Sequence, residues 1–191
     1  TKTLMNDVLN TPALAGSHYC LMSRTMPKLE RMEGFLNRVI DANGLDATVS
    51  RTLDLEEAVT DADYVIVMIQ VGGMDAFGVD YEVPLKYGVD QCIGDTLGPG
   101  GIFRALRTIP PVVDIAQTME RVAPGARLLN YANPMAPVCW AIGQESDVEF
   151  VGLCHGVQTT TDLIAGYVGA AKSELDCFVA GIHKVFETFE C

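Results

Sequence analysis

The chain has 191 residues, enough for one well-buried core or for one domain and part of a second, and 49% of them are hydrophobic against 20% charged. Its apolar runs, such as YVIVMI at 64–69, are far shorter than the roughly 20 residues a membrane-spanning helix needs, so a soluble globular protein without a membrane partner is expected. A net charge of −12, with 13 basic residues scattered along the chain, argues against nucleic acid as a partner and suits a divalent cation or a neutral substrate better.

The opening TKTLMNDVLNTPAL places Leu4, Val8 and Leu9 at helical spacing and reads as a helix already in progress. HYCLM at 18–22 is a short apolar strand. The helix that follows has Pro27 near its start, Leu29, Met32, Leu36 and Ile40 along one face, and Gly44 as terminator. ATVSRT at 47–52 alternates like a strand, and LEEAVTDA supplies one or two helical turns. DYVIVMIQ at 63–70 is continuous and β-branched, the pattern of a strand buried on both faces.

A long Gly-containing stretch comes next, with helical pieces expected to break at Pro110 and Pro111. RLLNYAN with PMAPVCWAIGQ, and EFVGLC with VQTTTDLIAGYVG, form two further strand–helix units, and LDCFVAGIHKVFETF closes the chain as a strand or hairpin. Strands alternating with helices predict an α/β fold with a mainly parallel sheet and helices on both faces. The six cysteines form no CxxC pair and no signal peptide precedes them, so a reducing, cytoplasmic setting is the default expectation.

In such sheets ligands bind outside the carboxyl ends of the strands. That rule selects QVGG (70–73), NYANP (130–134) and LCHG (153–156) as the rim of one crevice. Cys154 and His183 fall on successive predicted strands, and thiolate and imidazole are both good ligands for transition metals. A cysteine at a strand end is more often a small buried hydrophobe, and a single histidine more often a satisfied structural group, so spacing alone leaves both readings open. GPGG at 98–101 leads into a helix whose first N–H groups can meet an anion or polar ligand, and Arg104 and Arg107 lie three apart on one face of it.

The ordered motifs ADYVIVMIQVGG, IGDTLGPGGIFRALRTIP, LLNYANPMA, VGLCHGVQ and AGIHKVF resemble the NAD- and manganese-dependent glycosidases of glycoside hydrolase family 4, in the α-galactosidase and α-glucosidase branch. The spacings agree with that resemblance, 21 residues from Asn133 to Cys154 (154−133) and 29 from Cys154 to His183 (183−154). It implies a redox elimination, outside the usual two-carboxylate scheme, in which NAD takes hydride from sugar C3, a divalent metal stabilises the C2-deprotonated sugar, and the C1 substituent leaves. It also implies roles for residues of this chain. Cys154 and His183 would hold Mn²⁺ or another divalent ion, Asn133 would contact substrate and metal, and Arg104 or Arg107 would hold sugar hydroxyls. Val71, Gly72, Asn130 and Asn133 would line the nicotinamide, and His155 would be the acid for the leaving group.

The expected substrate is an unphosphorylated α-glycoside, first an α-galactoside with an α-glucoside close behind, and the expected assembly is a homodimer or homotetramer. A 2-hydroxy-acid dehydrogenase-like oxidoreductase and a remnant without chemistry are the competing readings. Residues 1–154 are expected to form a Rossmann-like NAD-binding domain, and 155–191 to begin an α+β substrate domain. Relative to the family pattern, the first strand, its Gly-rich turn and the remainder of the substrate domain are missing, so these residues alone are expected not to turn over a glycoside. At the end of the second strand of the pattern Ser23, Arg24 and Thr25 stand where an acidic residue is expected, which fits either a 2′-phosphate on the cofactor or simple loss of affinity.

Overall fold

A computed structural model describes residues 2–91 and 96–176. The fold is α/β and Rossmann-like, built from short strands and longer helices, and the expected sheet is present as two. The chain divides into two compact units, one running through Val65 and adding Gln117–Ala126, the other comprising Ile66–Ala116 and the residues from Arg127.

In the first unit, β1 (His18–Met22) and β2 (Thr48–Thr52) pair in parallel, with His18 opposite Thr48 and Met22 opposite Thr52. Helix α1 (Lys2–Leu9) and helix α2 (Met26–Asn43) supply Met5, Leu9, Leu36 and Ile40 to a buried cluster against which Tyr19, Leu21 and Val49 pack. Helix α2 ends as its sequence suggests. Gly44 adopts φ +60, which a glycine reaches without the penalty a Cβ would bring, and the chain turns there into β2. Asp54 caps α3 (Leu55–Val59) by accepting the Glu57 N–H at 2.9 Å.

The second sheet runs β3 (Tyr64–Val67), β4 (Arg127–Asn130), β5 (Phe150–Gly152), with β4 and β5 parallel and Asn130 opposite Gly152. Strand β3 departs from expectation. Val67 is buried, but Tyr64, Ile66 and Met68 on the alternate positions are exposed, so one face of this strand is open. A β-branched run reports strand propensity, and burial of both faces depends on what covers them.

Helix α4 (Gly73–Lys86) leaves the end of β3, and α5 (Gly98–Val122) runs unbroken through Pro110 and Pro111. Proline normally ends or kinks a helix by removing an N–H. Here the next turns carry Val112, Ala116 and Met119, all fully buried, and that apolar stripe holds the helix together across the lost hydrogen bonds. Helices α6 (Met135–Glu145) and α7 (Gly156–Val168) follow β4 and β5. Gly152 is a packing requirement, because a Cβ there would lie 2.7 Å from the Cys139 Sγ of α6. Among the described residues no helix is long and apolar enough to cross a membrane.

Candidate active site

The three strand-end turns selected from the sequence leave neighbouring strands of the β3-β4-β5 sheet at the same end. Tyr131 N–H donates to the Val67 carbonyl at 2.9 Å, and Leu153 N–H donates to the Asn130 carbonyl at 2.9 Å, so β3, β4 and β5 end side by side. All of them belong to the second unit.

After β3 the chain turns through Gly72 (φ +78), the residue before α4, and Gly73 (φ +63), its first residue. At Gly72 an added Cβ would lie 2.4 Å from the Cβ of Ala76, whereas nothing lies within 4 Å of one at Gly73. The turn is thus bare backbone at a strand end, a surface that a flat ring can approach closely. Two arginines of α5 hold it. Arg104, buried, donates from Nη2 to the Gln70 Oε1 at 2.8 Å and lies over the Phe77 ring at 5.3 Å. Arg107 donates from Nε to the Val71 carbonyl at 3.0 Å and from Nη1 and Nη2 to the two carboxylate oxygens of Asp80, at 3.0 and 2.5 Å.

The Asp80 hydrogen bond, with its charge, raises the Arg107 guanidinium above the ordinary arginine value despite the opposing effect of burial. Arg107 is therefore engaged inside the protein on all three nitrogens. The N-terminus of α5 is also partly used. The Gln91 side chain accepts the Gly100 N–H at 3.0 Å, and Gly101 admits no Cβ, which would fall 2.4 Å from the Thr96 carbonyl carbon.

After β4, Asn130 is fully buried, and its amide folds onto its own turn, accepting from Ala132 N–H at 3.0 Å and donating to the Ala132 carbonyl at 3.2 Å. It also reaches the Cys139 Sγ at 3.5 Å. Burial pushes the Cys139 thiol up, and the bond from Asn130 opposes that only in part. Asn130 therefore shapes the turn that presents half-buried Asn133, which precedes a cis Pro134.

Strand β5 stops at Gly152, so Cys154 and His155 lie beyond it, in the turn that leads to α7. The half-buried Cys154 Sγ accepts the Gly156 N–H at 3.3 Å, placing the sulfur at the first turn of α7, and exposed His155 is the residue before that helix. His183 lies outside the described residues. Among the described residues no three His, Cys, Asp or Glu side chains gather closely enough to hold a metal. Asp80 and Gln91 escaped the sequence reading. Asp80 does leave a trace there, as an acid on the same helical face as Phe77 and Pro84.

Comparison with known proteins adds to this geometry. The family model described as family 4 glycosyl hydrolase matches residues 1–170. The chain is 42% identical over 184 residues to an α-galactosidase of Rhizobium meliloti, covering 96% of this chain and 38% of that protein. It is 38% identical over 185 residues to an α-galactosidase of Bacillus subtilis, covering 96% and 43%. The structure of a 6-phospho-β-glucosidase from Thermotoga maritima with manganese, NAD⁺ and glucose-6-phosphate superimposes with a TM-score of 0.74 at 25% identity, over 91% of this chain and 41% of that one. The chain thus spans about two fifths of the length of these relatives.

Proposed function

Since the chain belongs to the family 4 glycosyl hydrolases, we propose that the protein carrying it is an NAD- and manganese-dependent α-galactosidase that takes unphosphorylated α-galactosides. The observation that carries the reading is the alignment of three strand-end turns, with bare glycines on the first, Asn133 on the second and Cys154 on the third. The glycine turn fits the nicotinamide ring, and the Cys154 sulfur with the Asn133 amide oxygen offers a donor set that a divalent transition ion accepts. His183 would complete that set. When bound, the nicotinamide supplies a reversible hydride acceptor for sugar C3, and the divalent ion supplies positive charge for the C2 and C3 oxygens.

The chain's own residues then divide the work. Val71 and Gly72 set the depth at which the ring sits, and Asn130 holds the turn that aims Asn133 at the sugar. Arg104, beside Gln70, or Arg107, bound to Asp80 and Val71, would meet a sugar hydroxyl. Exposed His155 donates the proton that the C1 oxygen needs as the C1–O bond breaks. In this reading residues 1–154 serve the cofactor and 155–191 begin the part that holds the sugar.

A homo-oligomer is supported by exposed Val79, Phe103 and Leu106 around an open groove of about 520 Å³, and a cytoplasmic setting by a cysteine pattern without CxxC pairs. The test is release of p-nitrophenol from α-galactoside and α-glucoside substrates by the full-length gene product, with and without NAD⁺, Mn²⁺ and reductant. Release from the galactoside that needs all three supports the reading. Cofactor-independent release, or none under any condition, overturns it.

A further inference from the structure

We propose that Asp80 is a positioning residue for the nicotinamide end of the cofactor: through Arg107 it fixes the Val71 carbonyl, and with it the Gly72–Gly73 turn. The proposal rests on the reading of that turn as the nicotinamide contact. Asp80 is 2% exposed, and a carboxylate so deeply buried is retained only with a partner that satisfies both oxygens. Arg107 does so with Nη1 and Nη2, and this fork fixes the guanidinium plane so that Nε–H points at the Val71 carbonyl. A lysine offers one compact charge and could not serve the acid and the carbonyl in this way.

The contact is tight on the turn itself. A Cβ at Gly72 would lie 3.4 Å from the Arg107 Nε, so the guanidinium packs directly against the glycine. Gln91 secures the other side of Asp80. Its side-chain N donates to the Asp80 carbonyl at 3.3 Å, and its oxygen accepts from Gly100 at the start of α5. Arg104 holds Gln70 from the same helix, so α5 grips two successive residues just where β3 gives way to the turn. The third bond, to a backbone carbonyl at the rim of the crevice, ties the ion pair to the turn itself.

The experiment compares NAD⁺ with ADP-ribose, which lacks the nicotinamide, by calorimetry on the full-length protein and its Arg107→Lys and Asp80→Asn variants, each checked for folding by circular dichroism. The expected result is a Kd for NAD⁺ raised about tenfold or more in both variants, the scale of one charge-assisted hydrogen bond, with the Kd for ADP-ribose changed by less than about twofold. Equal weakening of both ligands, or no weakening of NAD⁺, overturns the proposal. Should neither variant fold, amide exchange of the unaltered protein decides: NAD⁺ slowing residues 71–74 more than ADP-ribose supports it, and equal slowing overturns it. Unaltered protein that binds neither ligand overturns the functional reading itself and this proposal with it.

Discussion

Replacing Gly101 by alanine adds one methyl group at the fourth residue of α5, where the new Cβ would lie 2.4 Å from the carbonyl carbon of Thr96 and 2.5 Å from its oxygen. Ordinary carbon contacts begin near 3.5 Å, so the backbone around Thr96 or the start of the helix must retreat by about 1 Å. Backbone cannot swing aside as a long side chain does, which puts the cost near the upper end of overpacking, ~3 kcal/mol. The alanine returns at most ~1 kcal/mol of helix propensity. The net loss of ~2 kcal/mol corresponds to a fall of about 4–8 °C in melting temperature for a chain of this length. Gly78→Ala is the matched control, since it makes the same chemical change inside α4 with nothing within 4 Å of the added carbon. It should melt at a higher temperature by about 2–4 °C. Thermal melts followed by circular dichroism read both. A Gly101→Ala protein that melts at or above the temperature of the unaltered protein would refute the reasoning.

Three further outcomes are expected. The folded Cys139 thiol keeps its proton at pH values where an unfolded thiol has lost it, so its contribution to stability is whole below the ordinary thiol value and is lost as pH rises through the raised folded value. Denaturant melts of Cys139→Ala should therefore show a shallower decline above about pH 8.5, and an unchanged slope counts against the assignment. Asn130→Asp removes the donor that meets the Ala132 carbonyl and Cys139 and buries a charge, so stability should fall by ~1–3 kcal/mol in the same melts. Cys154→Ser should leave NAD⁺ binding intact while raising the Mn²⁺ concentration for half-maximal activity by about tenfold or more, and an unaltered Mn²⁺ dependence would remove Cys154 from the metal site.

Much of the fold was legible because local signals and tertiary packing agree. HYCLM forms β1 over those five residues, and α2 ends at Gly44 because only a left-handed residue makes that turn cheaply. Where they disagree, packing prevailed. Pro110 and Pro111 read as a break, yet the buried stripe from Val112 to Met119 carries α5 past them, and the apolar run of β3 keeps one face open. The site was legible in outline. The strand-end rule located all three turns from sequence, since each is marked by glycine, asparagine or cysteine after an apolar run. Pairing was not legible. Nothing in the spacing of 27 residues tells that Arg107 turns inward to Asp80, or that Gln91 caps Gly100, because such contacts depend on how α4 and α5 lie together.

The central claim is that the glycoside is cleaved by redox elimination with removal of the proton at C2. It is tested most directly by running the hydrolysis with the full-length gene product in D₂O, with NAD⁺ and Mn²⁺ present, and examining the released galactose by NMR. The account predicts deuterium at C2 of the product, because the proton lost there is replaced from solvent when water adds back. Galactose that keeps its original hydrogen at C2 would contradict it.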